Sequence, residues 1–194
     1  MHVFWPGTVI SFSSLHSQWK EWKARPVDPR IANPPANRHK DQHVRSVGPF
    51  STEAFERICD AILTYQVFPE DLGRGLTPLQ YEERECLQIG DTVMFCWRFI
   101  FGIYLGFGCR VSDVFLTPRR VGFTYQTLTG HPELGEETFE LRHTEDDRLE
   151  VRLTCWSVPG SWLCQLTAPL ARRWQLQGAR RILDHLESCA HRAA

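Results

Sequence analysis

The sequence has only two methionines, a net charge of −1 and seven cysteines with no CxxC pair among them, and these scarcities remove several function classes. Cys59, Cys86, Cys96, Cys109, Cys155, Cys164 and Cys189 are odd in number and mostly sit in apolar runs. That pattern argues against a disulfide framework or a zinc site and for reduced thiols in a cytoplasmic protein. A near-zero charge gives no general attraction to nucleic acid or to an acidic membrane surface. Thr92–Leu116 is the most apolar stretch, but Arg98, Gly102, Gly106 and Gly108 interrupt it, so no membrane span is expected. Two strands, Val93–Phe101 and Cys109–Leu116, fit it better. Its glycines lack the strand–loop–helix context of a dinucleotide fingerprint, and no Ser-His-Asp order or phosphate-cradling loop appears. MHVFWPGTVISF has no positive n-region and is broken by Pro6-Gly7, so it does not read as a signal peptide. No cofactor and no metal site are expected.

What is present suits one domain with a substantial core: 194 residues, 42% hydrophobic and 12% aromatic. Residues 1–43 form an irregular arm with Pro6, Pro26, Pro29, Pro34 and Pro35, yet also Trp5, Trp19 and Trp22. Three tryptophans are unlike a disordered tail. The arm is therefore expected to pack on the domain, on a partner protomer in a homodimer, or over a pocket mouth, with a short helix over Ser17–Lys23. His39 and His43 read as loop residues rather than metal ligands. The domain, 44–190, opens with a short strand, Val44–Val47, after which Ser51 or Thr52 caps an amphipathic helix carrying Phe55, Ile58, Ala61 and Ile62. Pro69–Ile89 reads as loop. Arg148–Ser157 alternates as a strand, and Ser161–Cys189 reads as a helix kinked or divided by Pro169. Trp162, Leu166, Leu170 and Trp174 make its apolar stripe, and Arg172, Arg173, Arg180 and Arg181 pair with Asp184 and Glu187 on its other side.

The candidate chemistry lies in Val121–Leu141. Val121, Phe123, Tyr125 and Thr127 alternate along one strand; Glu137, Phe139 and Leu141 share one face of the next, and Glu136 and Thr138 the other. A shaped loop, Thr129–Gly135, carries His131 and Glu133 between them. If the Glu137 face points inward, desolvation raises its pKa and suits it to general acid–base work. His131 can give or take a proton. Tyr125 can donate to a carbonyl or enolate oxygen, and Arg110 can orient the carboxylate or hold an anionic group. The structural alternative is that Glu136 and Glu137 cap the loop while His131 locks the turn. The order of elements implies an α+β fold with an antiparallel sheet and a long C-terminal helix across it.

The stretch FTYQTLTGHPELGEETFEL resembles the signature of the DUF1990 (UPF0548) family, in which a strand runs into a GHPE-x-GEE-x-F element. The likeness extends to the Phe55 helix, the Cys109-Arg110-Val111 strand, Ser157-x-Pro159-x-x-Trp162 and the Arg-rich C-terminal helix, from Val44 to Leu186. The chain departs from the pattern at Gln126, where the family has Gly, and at Thr129, where it has Pro. The larger Gln126 is expected to reshape the pocket. The resemblance implies a helix-grip fold of the Bet v 1/START-like kind with a hydrophobic ligand cavity. It implies no particular activity; within such a cavity the hairpin residues carry the expectation of a cofactor-independent isomerase, cyclase or dehydratase acting on a small, largely apolar metabolite. His131, Glu137 and Tyr125 are the catalytic candidates, and Arg110, Glu133, Glu136, Phe123 and Trp162 the ligand contacts. A non-catalytic carrier of such a molecule and an interaction module using the Trp-rich arm are the alternatives.

Overall fold

A computed structural model describes residues 8–9, 19–69, 72, 76–81, 86–98, 104–160, 162–166 and 168–191. In chain order the elements are β1 (Thr8–Val9), β2 (His39–Pro49), α1 (Thr52–Leu63), β3 (Leu76–Tyr81), β4 (Thr92–Arg98), β5 (Tyr104–Thr117), β6 (Arg120–Thr127), β7 (Glu133–His143), β8 (Arg148–Pro159), α2 (Trp162–Leu166) and α3 (Ala168–His191). The strands form one antiparallel sheet in the order β2-β8-β7-β6-β5-β4-β3, with β1 pairing beside β5. The sheet curves around α1 and α3, so the α+β helix-grip architecture is the one expected from the chain.

Two faces of the sheet follow from strand alternation. In register, Val121 pairs with Leu141, Phe123 with Phe139 and Tyr125 with Glu137. These side chains share the concave face, together with Leu149, Val151, Leu153 and Cys155 of β8. Ser51 caps α1 by accepting from the Ala54 N–H, and the helix turns Ala54, Ile58, Ala61 and Ile62 into the core. From the second half of α3 come Ala179, Ile182, Leu183, Leu186, Cys189 and Ala190. Burial of these side chains is the main stabilising term of the domain.

The convex face has its own small cluster. Residues 19–24 are helical, and Trp22 is fully buried against Met94, Cys96 and Leu128. Gly108 makes room for it: a Cβ there would stand 3.0 Å from the indole. The arm then runs beside the end of β6, with Asp28 N–H donating to Thr127 O (3.1 Å) and Thr129 N–H to Pro26 O (3.0 Å). The arm packs on its own domain. Trp5, Ser17 and Gln18 lie outside the described residues.

Several expectations are corrected. The strand placed at Val44–Val47 starts at His39, so His39 and His43 are strand residues, and the boundary at 43 cuts through β2. Pro69–Ile89 contains the edge strand β3, whose register shifts at Pro78, where a residue without an N–H is tolerated. Gly135 lies inside β7, so the loop is shorter than Thr129–Gly135. The C-terminal helix, by contrast, is divided at Pro169 as expected, with that residue in the first turn of α3, where no N–H is needed. Leu166 is 71% exposed and so is not part of the sheet-facing stripe. Arg172 pairs with Asp41 of β2, while Asp184 and Glu187 pair with Arg45 of β2, each at 2.6 Å. No described helix is long and apolar enough to cross a membrane.

Candidate functional site

Hairpin β6–β7 positions the central pair. Tyr125 and Glu137 are directly opposite in register, and the Tyr125 hydroxyl donates to Glu137 Oε2. Four residues earlier on the same face of β7, Glu133 Oε2 accepts from Gln175 Nε2 of α3, and the same amide reaches Ser157 Oγ of β8 at 3.3 Å. Gly135 lies between the two glutamates. A side chain there would drive into the Trp156 carbonyl, 2.3 Å from an added Cβ, so β7 and β8 meet closely at this point. The Gly135 N–H donates to Thr127 Oγ1 at 3.1 Å.

Aromatic rings wall the site. Phe107 stacks on Phe95 with centroids 5.7 Å apart and meets the His131 ring edge-on at 4.7 Å. Phe95 and Phe139 flank Tyr125 at 6.2 and 5.5 Å. His131, Glu133 and Glu137 retain some accessible surface although protein surrounds them closely enough to desolvate their charged forms. Glu133 and Glu137 therefore lie half-buried in the hollow of the curved sheet, on its concave side, with His131 beside them.

Burial pushes the Glu137 carboxyl up to about 7, against the Tyr125 hydrogen bond, which pulls it down. It also pushes Glu133 up to about 7, where the Gln175 hydrogen bond and the Arg172 charge lower it and the Glu137 charge raises it. Burial thus brings both carboxyls to titrate near neutrality. Burial, then the Glu137 charge, holds the Tyr125 hydroxyl well above its ordinary range, so it remains a donor. Burial lowers His131 to about 4, leaving a neutral imidazole whose Nδ1 lies 3.0 Å from the Glu133 N–H and 2.8 Å from the Glu133 carbonyl oxygen. The shorter contact is a hydrogen bond in which Nδ1–H donates to the Glu133 carbonyl, and that bond opposes the lowering by burial.

The structure thus brings Tyr125, Glu137 and Glu133 to one end of the concave face, with His131 at its border. No hydrogen bond joins His131 to Glu137 among the described residues. Phe123 is fully buried, stacked on Phe139 at 4.8 Å, and belongs to the packed core beneath. Two expected contacts are on the wrong face. Arg110 donates to the Lys23 and Arg25 carbonyls at 2.9 and 3.2 Å, anchoring the arm on the convex side. Glu136 accepts from Gln126 Nε2 at 2.7 Å, also on the convex side. The pairing also means that the Gln126 side chain does not reach the hollow. The Trp162 side chain lies outside the described residues. Among the described residues no group of three His, Cys, Asp or Glu side chains could hold a metal ion.

A family model, "Domain of unknown function (DUF1990)", matches residues 20–185. The chain belongs to the DUF1990 family. The match takes in most of the arm, beginning before Trp22, where the sequence motifs suggested a start at Val44. A comparison with curated proteins found no match. Among solved structures, this DUF1990 chain is similar in fold to a hypothetical protein of Helicobacter pylori (TM-score 0.51, 12% identity, covering 86% of this chain and 96% of that one). It is also similar to an uncharacterized protein of Rhizobium leguminosarum (TM-score 0.52, 18% identity, 81% and 98%). A third is BexL, a di-domain ARO/CYC of the BE-7585A biosynthetic pathway (TM-score 0.53, 10% identity, 85% and 54%). At such identities the likeness is one of fold.

Further groups at the site were not anticipated from the sequence. Gln175 holds Glu133 and also donates to Ser157, and Arg172 pairs with Asp41 beside Cys155, whose thiol lies 3.9 Å from the Asp41 carboxylate. In this DUF1990 chain Ser157 and Cys155 share the face of Leu153 and Val151 by simple alternation, which the sequence does show. The partners across from them, on α3 and β2, depend on tertiary packing and leave no local signal.

Proposed function

We propose that this DUF1990 protein is a cofactor-independent enzyme that moves protons on a small, largely apolar molecule held between the sheet and α3. The observation that carries the reading is the Tyr125–Glu137 pair: a carboxyl raised to about 7 by burial, cross-strand from a hydroxyl that stays protonated. A base of that pKa is half ionised near pH 7, where both its protonation states are available. The substrate carbonyl oxygen competes with Glu137 for the Tyr125 proton. As the hydroxyl turns to that oxygen, Glu137 loses its hydrogen bond and becomes a stronger base, ready to take the proton on the adjacent carbon. The surrounding rings exclude water and strengthen the Tyr125 interaction with the developing negative charge. His131, neutral and bonded to its own turn, shapes the wall.

Incubation of the full chain with cyclohexanone in D2O, followed by proton NMR, tests this. Wild type should speed exchange of the protons next to the carbonyl, and Glu137→Gln should slow it by about 10²-fold or more, the usual contribution of a positioned base. Binding without exchange in wild type would identify a carrier. The interaction-module reading loses support because Trp22 is buried in the chain's own convex cluster.

A further inference from the structure

We infer that Glu133 is a second proton-transferring residue of this site, held by Gln175, whose amide Ser157 also engages, and that the substrate is an uncharged β,γ-unsaturated carbonyl compound that loses a proton at one carbon and gains one at another. This inference rests on the reading of Glu137 as the base. Glu133 and Glu137 stand four residues apart on one face of β7, about 13 Å between Cα atoms at strand rise, with the side-chain-free Gly135 between them. The Gln175 amide that donates to Glu133 also reaches Ser157 Oγ, which stands opposite Gly135 and one alternation from Cys155, the residue opposite Glu137, so the two carboxyls face one stretch of the concave side. A second carboxyl of this kind adds nothing to a one-base exchange.

The remaining titratable groups around the hollow narrow the substrate. Among the described residues they are Tyr125, His131, Cys109 and Cys155, with Asp41 of β2 and Arg172 of α3 beside them. Arg172 is bound to Asp41 and His131 is neutral. No free cation among the described residues faces the carboxyls, so an anionic ligand would meet only negative or neutral groups.

The reaction balances within the site. The Glu137 carboxylate takes the proton from the carbon between the carbonyl and the double bond. That C–H electron pair becomes the new double bond of a dienolate, whose oxygen accepts a hydrogen bond from Tyr125. The dienolate's far carbon then takes the proton of the Glu133 carboxylic acid, the carbonyl re-forms, and the double bond ends conjugated to it. Glu137 leaves protonated and Glu133 ionised. Proton exchange with solvent at the rim, where Gln175 and Ser157 stand, resets the pair. The product is an isomer, and nothing is oxidised or reduced.

The probe is cyclohex-3-en-1-one in D2O with the full chain. Conversion to the conjugated ketone is read by ultraviolet absorbance, and deuterium at each carbon by NMR. Wild type should convert it, leaving deuterium at the receiving carbon, because the Glu133 proton equilibrates with solvent. Glu133→Gln should lower the ratio of isomerisation to exchange by about 10²-fold. Gln175→Leu keeps Glu133 but removes the bond that lowers its pKa, so the pH profile of isomerisation should move upward. A product that keeps the substrate's own proton at the receiving carbon would overturn the inference, as would an unchanged ratio in Glu133→Gln. Exchange without isomerisation in wild type would also overturn it, while leaving Glu137 as a base. A wild type that does neither removes both readings. An unmoved pH profile in Gln175→Leu removes Gln175 as the positioning residue.

Discussion

The two ends of the concave face are built from the same three strands, β6, β7 and β8, and have opposite chemistry. At one end Val121, Phe123, Phe139, Leu141, Leu149, Val151 and Leu153 are at most 1% exposed, and α1 and the second half of α3 close over them. At the other end the same strands carry Tyr125, Glu133, Glu137, Cys155 and Ser157, and the first half of α3 is tied there by Gln175 to Glu133 and by Arg172 to Asp41 of β2. Apolar packing fixes one end and hydrogen bonding the other. Ionisable groups are held away from water at the second end at an energetic cost, which the packed end offsets. That division is what a site needs: rigid support beside a region whose groups are poised to change state.

The largest effect should come from breaking the packed end. Phe139→Ala removes a fully buried ring stacked on Phe123. It should cost about 3–5 kcal/mol, a fall in Tm of roughly 6–20 °C at this chain length, readable by thermal unfolding. Glu137→Gln should do the opposite. The folded-state pKa of Glu137, about 7, is above its ordinary value of 4.5. Its contribution is therefore fully present below about pH 4.5 and is lost as pH rises through 7. Replacing it with a neutral amide should raise stability at pH 8 by about 1–3 kcal/mol, an advantage that shrinks to nothing near pH 4.5. Denaturant unfolding of both proteins across that range measures it. A variant less stable than wild type at pH 8 would mean that Glu137 is there to hold the hairpin.

How much of this was legible in the sequence depended on periodicity. Strict alternation through Val121–Thr127 and Glu137–Leu141 placed Tyr125 and Glu137 on a shared face with large apolar residues, and the caps and apolar spacing placed α1. The same alternation, applied to Cys109-Arg110-Val111, puts Arg110 opposite two inward residues, so its place on the convex face was readable and the chemistry of guanidinium and carboxylate overrode it. Glu136 is outward for the same reason. β3 was hidden because Pro78 reads as a strand breaker, and only pairing with β4 along a free edge makes it a strand. β2 was truncated because its first residues are charged and follow Pro34-Pro35. The bonds from α3 to Glu133 and Asp41 join positions 42 and 131 residues apart, beyond any local pattern.

The smallest effect should come from the face that the site does not use. Gln126 is where the family pattern has glycine, one residue from Tyr125, and a change so close would be expected to disturb the hollow if proximity in sequence decided it. Strand geometry decides otherwise: the Gln126 side chain points to the convex surface and donates to Glu136 at 2.7 Å, while Tyr125 points the other way. Gln126→Gly removes one partly exposed hydrogen bond, worth about 0.5–1.5 kcal/mol, and adds the backbone entropy of a strand glycine, about 0.5–1 kcal/mol. Tm should fall by a few degrees. The Glu137 carboxyl, followed by carbon-13 NMR, should still titrate near 7, because neither its burial nor its bond from Tyr125 changes. A clear shift of that midpoint would show that the two faces are coupled through the hairpin and that the polar end of the sheet is less independent than its hydrogen bonds make it.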